Sequence, residues 1–273
     1  MMPLRPPSLF LITACACMLA SALPRPASAQ TEAFGVKEGS EAALIGILYD
    51  LKQTQDRKKT AVNTSTYSNV VDNFLSRNWD EAVLNEYYRV SRPLYTTQIY
   101  IPLMNAGSAP KAFEAEKTVE PSRWLIHYKG QVTAPEAGRY RFVGYADDWL
   151  AVAVNNKTVL VSNRADLKLT KTNWNSKEPD GMAASNGRLR FGDWIDFKKD
   201  ESVDLDIAVG ERPGGQFSAF LLVQKEGEVY EKSHSGAQPI LPIFQLVPKE
   251  TPEVPVRLGP PFAKNSKPWK ALQ

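Results

Sequence analysis

The strongest constraint on what this chain can fold into lies between Trp124 and Val161, where short apolar runs alternate with period two and are separated by turn chemistry. Trp124, Ile126 and Tyr128 alternate with Leu125, His127 and Lys129, and Tyr140 and Phe142 alternate with Arg139 and Arg141. Successive side chains of a strand point to opposite faces, so the pattern predicts half-buried strands rather than helix. Pro135-Glu136-Ala137-Gly138 makes a turn between the first two runs. A third run, 150–154, follows Ala146, Asp147, Asp148 and Trp149, and Asn155-Asn156 turns the chain before 159–161. This reads as a tight antiparallel hairpin with two adjacent carboxylates at its tip.

Elsewhere the period changes. Residues 43–51 read as a strand, and 53–60 as a polar connection. From Ser65 onward, Tyr67, Val70, Val71, Phe74 and Leu75 fall on one face of an amphipathic helix. Asn78, with Glu81 three residues on, has the form of a capping box and predicts a second helix carrying Val83, Leu84, Tyr87 and Tyr88. Residues 95–101 alternate again, with Pro102 as a stop. A helical pair at about 65–90 thus interrupts the strands, either packing over a sheet face or narrowing a ligand site; apolar stripes at helical spacing favour packing. Residues 162–192 form a long polar loop containing Trp174, and prolines recur from 239 to 273, which predicts an extended tail with Ile240, Leu241, Ile243 and Phe244 lying along the sheets. His127 is expected on the solvent face of its strand, and the other histidine, His234, in a polar turn.

The order Trp124, Gly130, Pro135-Glu136-x-Gly138, Tyr140-x-Phe142, Asp147-Asp148 and 152–156, followed by 203–209, a Gly-rich turn at 213–215 and 217–223, resembles the β-sandwich domain family named after anthrax protective antigen. The likeness spans about 110–230. It implies an all-β antiparallel sandwich of jelly-roll type, here with the inserted helical pair, over 30–238. In calcium-dependent lectin members of that family the Asp-Asp peptide is cis and both carboxylates bind a calcium ion that also takes sugar hydroxyls. The resemblance therefore implies Asp147 and Asp148 as metal ligands, calcium as the cofactor, and a glycan or polysaccharide as partner. Against it stands the ordinary reading in which the two aspartates cap a turn. One departure is plain: the family places glycine after the acidic pair, where this chain has Trp149, so the following turn is expected to take another backbone path. Three aromatics are candidates to stack on a sugar ring: Trp149 beside the carboxylates, although burial is the commoner fate of tryptophan, Trp174 in the polar loop, and Tyr145.

The N-terminus reads as a secretory signal over 1–29, with Arg5, an apolar stretch at 8–23 and a small-x-small site at Ala27-Ser28-Ala29. Both cysteines, Cys15 and Cys17, lie inside it, which leaves no disulfide; the rival reading makes Cys15 a lipidated residue. Removal of 1–29 takes Arg5 and Arg25 and no acidic residue, leaving basic and acidic residues almost in balance. That argues against nucleic acid as partner and against electrostatic membrane binding, and no later stretch is apolar enough to span a bilayer. Two histidines, no remaining thiol and no nucleophile elbow give catalysis little support. Two functions remain for an extracytoplasmic module: carbohydrate binding, or a structural scaffold and adhesion module contacting a cell-envelope protein.

Overall fold

Among the described residues the alternating runs form strands, and the strands assemble into two large antiparallel sheets, with β9 (Ala183–Ala184) and β10 (Gly187–Arg188) paired as a separate two-stranded ribbon. The computed structural model describes residues 32–39, 42–184, 187–233, 238–253 and 258–272; the leader reading, both cysteines and His234 lie outside them. The larger sheet has the order β2 (Tyr87–Arg89), β1 (Leu44–Thr54), β5 (Trp124–Thr133), β13 (Ser202–Glu211), β7 (Trp149–Val154) and β8 (Lys157–Asn163), with β3 (Leu94–Thr96) beside β1 and β15 (Lys270–Leu272) beside β5. The smaller has β11 (Arg190–Phe191), β6 (Gly138–Asp147), β14 (Gln216–Lys225) and β4 (Tyr100–Asn105), with β12 (Ile195–Phe197) beside β6. The fold is the expected all-β sandwich with a small helical insert. Trp124, Tyr128, Phe142, Val152, Leu205 and Phe217 are all buried in its core.

The expected hairpin is not one. β6 pairs with β14 in the smaller sheet, whereas β7 pairs with β13 and β8 in the larger. Asp147-Asp148 is therefore a crossover between sheets, and β13 crosses to β14 at the same end, since Trp149 lies opposite Gly210 and Asp147 opposite Ser218. Adjacent runs in sequence look alike whether they pair or cross, because period two reports faces and not partners.

Both sheets are covered on their outer faces. Helix α1 (Tyr67–Ser76) forms from the expected stripe, its first turn held by the Asn63 side chain, which accepts from the Ser65 and Thr66 amides at 2.9 and 3.1 Å. It lies on the larger sheet and buries Tyr67, Val71 and Phe74. On the smaller sheet, Val143, Tyr145, Phe220 and Leu222 are covered by Leu189 and Phe191 from the long loop and by Leu241 and Ile243 from the tail. Farther along the tail, Phe244 and Trp269 pack against Phe142 in the main core.

The second helix does not form. Asn78 and Trp79 both adopt left-handed backbone, with φ of 56° and 62°, and end α1. Asp80, not Asn78, then caps a single 3-10 turn, Glu81–Leu84, accepting from the Ala82 amide at 2.9 Å, and the aromatic pair Tyr87-Tyr88 continues as β2. Aromatics suit a strand as well as a helix, so a stripe this short does not discriminate. Nor does Pro102 stop its strand; it sits inside β4.

One hydroxyl ties the insert to the sandwich. Buried Tyr67 donates to the Trp124 carbonyl at 2.9 Å and accepts from Trp149 Nε1 at 2.8 Å. Space for that contact exists because residue 210 is glycine: a Cβ there would lie 2.2 Å from the Tyr67 hydroxyl. Tyr67→Phe leaves the buried Trp149 N–H unpaired, and the expected loss is ~1–3 kcal/mol in urea denaturation. A variant as stable as the wild type contradicts the hydroxyl's structural role.

Candidate functional site

The two crossovers bring Asp147, Asp148, Glu211 and Arg212 together at one end of the sandwich, and the end of β8 adds Arg164. The Asp147-Asp148 peptide is cis. Both aspartates are buried, at 1% and 0% exposure, so neither carboxylate stands at an open tip. Arg164 Nη1 lies 3.2 Å from Asp147 Oδ1 and 3.5 Å from Asp148 Oδ1. Asp148 Oδ2 accepts from the Arg212 amide at 2.7 Å. Asp166 completes a ring of charge, accepting from Arg164 Nε at 3.0 Å and from the Arg212 guanidinium.

Negative charge exceeds positive in this corner, and the carboxyls respond. Burial, then the charge of Asp148, pushes Glu211 up to about 9, so it keeps its proton at neutral pH. Burial, together with Asp147 and against the Arg212 amide, lifts Asp148 to about 6. Asp148 Oδ1 and Glu211 Oε2 are buried without a hydrogen-bond partner. These residues do not suit a calcium ion. Calcium needs six to eight oxygens at about 2.3–2.6 Å, and Arg164 occupies the position facing both carboxylates. Among the described residues, no group of three or more His, Cys, Asp or Glu side chains is arranged to hold a metal.

The expected stacking aromatics are corrected as well. Trp149 and Tyr145 are fully buried and offer no face to a sugar, whereas Trp174, 8% exposed, is mostly buried but lines the smaller of the two cavities described below. Trp149 opens β7 as an ordinary strand residue on the outer face of the larger sheet, and its indole is buried beneath α1, where it donates to Tyr67. Tyr145 stacks on Phe220 beneath the loop and tail, with ring centroids 5.2 Å apart. Trp174 belongs to a polar loop, yet its ring packs into the core.

A second arrangement lies on the outer face of the larger sheet, beyond the end of α1. A cavity of about 760 Å³ opens there between Asn78, Asp80, Lys129, Gln131, Asn156 and Asp204. It adjoins one of about 410 Å³ that shares Asn78 and Asn156 and reaches Asn173 and Asp193. Among the described residues, the side chains of Arg77, Asn78 and Asn156 bond to no other residue, and Asn78 and Asn156 are exposed. The left-handed backbone of Asn78 and Trp79 sets this wall; Trp79, costly in that conformation, is held by its buried ring and by Nε1 donating to Thr158 at 3.0 Å.

His127 forms the floor of the cleft, and its solvent-face assignment is overturned. Its face of β5 is the outer one, as the alternation predicts, but Phe74 and Trp79 cover it, with ring centroids 5.3 and 5.9 Å away. Its Nδ1 lies 3.1 Å from Glu81 and its Nε2 2.8 Å from Asp206. Burial lowers its affinity for a proton, yet the two carboxylates outweigh this and raise its pKa. Glu81 in turn is drawn down to about 2 by hydrogen bonds from His127 and Lys129.

No family model matches the chain, and no curated protein matches it in sequence. Among solved structures, the chain is similar to a PA14 sugar-binding domain from an RTX adhesin, at 16% identity and a TM-score of 0.42, covering 69% of this chain and 93% of that one. It is similar to the PA14 domain of the MpAFP antifreeze protein at 15% identity and a TM-score of 0.44, covering 77% and 89%. It is also similar to the epithelial adhesin 6 A domain of Candida glabrata in complex with Galb1-3GlcNAc, at 12% identity and a TM-score of 0.43, covering 71% and 85%.

The raised pKa of Glu211 fixes a pH signature. The folded chain holds a proton there that the unfolded chain releases, so this contribution is complete below pH 4.5 and lost as pH rises through about 9. Glu211→Gln removes the ionisation while keeping an acceptor for the Gly214 amide, now 2.8 Å from the carboxyl. Its stability relative to the wild type is expected to rise steadily across that window in denaturation at a series of pH values. A difference that does not vary with pH contradicts the buried, protonated carboxyl.

Proposed function

We propose that this chain is a non-catalytic module that binds a glycan outside the cytoplasm, in the cleft beyond the end of α1. The observation that carries the reading is the junction of the two cavities at Asn78 and Asn156, whose exposed amides bond to no other residue. A side-chain amide both donates and accepts, and so can satisfy a sugar hydroxyl, which does the same; the nearby carboxylates Asp80 and Asp204 accept further hydroxyl protons. Two cavities end to end suit a chain of sugar rings rather than a single one. The secretory reading of 1–29 supports a location outside the cytoplasm, where such polymers occur. Among the described residues, no helix is long and apolar enough to cross a membrane.

The scaffold alternative rests on less: the exposed apolar residues Val36 and Ile45 both lie opposite Tyr95 on the larger sheet, which makes only a small patch among the described residues. The test is retention on immobilised polysaccharides and a glycan array. Asn78 and Asn156 have positive φ, so glycine replaces either without backbone strain and removes only the amide. Asn78→Gly and Asn156→Gly are each expected to weaken retention about 5- to 10-fold, the worth of one hydrogen bond of ~1 kcal/mol. Retention equal to the wild type in both, or no glycan retained at all, contradicts the proposal.

A further inference from the structure

Arg164 is delivered to the acid corner by strand register. Trp149 and Asn163 are the last paired residues of β7 and β8, and the Arg164 amide continues the ladder by donating to the Asp148 carbonyl at 2.8 Å. The side chain then lies across the two aspartates it has just been placed beside. One guanidinium nitrogen is 3.2 Å from Asp147 Oδ1 and 3.5 Å from Asp148 Oδ1. A metal ion bridging these two oxygens at about 2.3–2.6 Å competes with the guanidinium for the same pair of acceptors.

The corner is also fastened around this cation. Asp166 receives Arg164 Nε at 3.0 Å and the Arg212 guanidinium, while the Arg212 amide takes the remaining oxygen of Asp148. A planar fork can reach Asp166 and the acid pair at once, which a point charge cannot. Both aspartates are sealed from solvent, so no hydroxyl of a bound ligand reaches them. We propose that Arg164 is a tethered cation that takes the place of a metal ion at the acid corner, making Asp147-Asp148 a metal-independent structural lock closed to hydroxyl ligands. This does not rest on the glycan reading of the cleft, which lies elsewhere on the sandwich.

The experiment compares the wild type, Arg164→Lys and Arg164→Gln in EDTA and in millimolar calcium, following the melting temperature and terbium luminescence sensitised by Trp149. The wild type and Arg164→Lys are expected to melt at the same temperature in both media and to give no sensitised emission. Arg164→Gln, which keeps the carboxylates and loses the cation, is expected to gain EDTA-reversible emission and a calcium-dependent rise of several degrees. If it folds only with calcium, the substitution of one cation for another is demonstrated directly. Calcium-dependent melting or terbium emission from the wild type overturns the proposal. So does an Arg164→Gln variant that stays metal-free in calcium, or one unfolded in calcium and EDTA alike.

Discussion

Four carboxyl groups and two guanidiniums share the end of the sandwich where the chain crosses twice between its sheets, and the arginines, with the proton kept on Glu211, offset most of the negative charge held there. Removing a carboxylate from water costs several kcal/mol unless a partner compensates it, and here the partners come from two segments distant in sequence, 164–166 and 211–212. β8 supplies Arg164, the β13–β14 crossover supplies Arg212 and Glu211, and Asp166 in the following loop receives both arginines. Because Trp149 immediately follows the acid pair and is bonded to Tyr67, the position of α1 depends on the same corner. The left-handed turn that ends α1, with Leu75 from its last turn, then forms one wall of the cleft.

The site expected at the acid pair and the site supported by geometry are thus at different places, for one physical reason. A carboxylate pair is equally served by a metal ion or by an arginine, and the two outcomes look the same in the aspartates themselves. What differs is the residue brought opposite, and that is a matter of sheet register rather than of local sequence. The cleft, by contrast, is built from turn residues. Asn78 and Asn156 stand where the backbone is left-handed, a conformation asparagine tolerates better than most residues. Their conformational role leaves their amides free.

Much of the fold was legible because alternation reports faces directly. The core residues from Trp124 to Phe217 and the stripe of α1 follow from which side chains share a face, and the packing of Leu241, Ile243 and Phe244 follows from the prolines that keep the tail extended. The pairing of strands was not legible, and so a crossover was read as a hairpin. Burial of outer faces was hidden as well: His127 points to the side its phase predicts, but a helix distant in sequence covers that side. The same blindness placed Tyr145 and Trp174 at the surface. Of the residues that surround the acid pair, only the pair itself carried a signal, since nothing local to Arg164, Asp166, Glu211 or Arg212 marks them as neighbours.

The direct measurement of the corner's central interaction is a double-mutant cycle between Asp148 and Arg164. Asp148→Asn and Arg164→Gln, alone and together, are compared by urea denaturation at neutral pH in EDTA. If Arg164 is the counter-charge of the acid pair, the double variant is more stable than the sum of the single losses requires, by an interaction of ~1–3 kcal/mol. Losses that simply add would mean that the arginine and the buried aspartate do not hold each other, and would contradict the account.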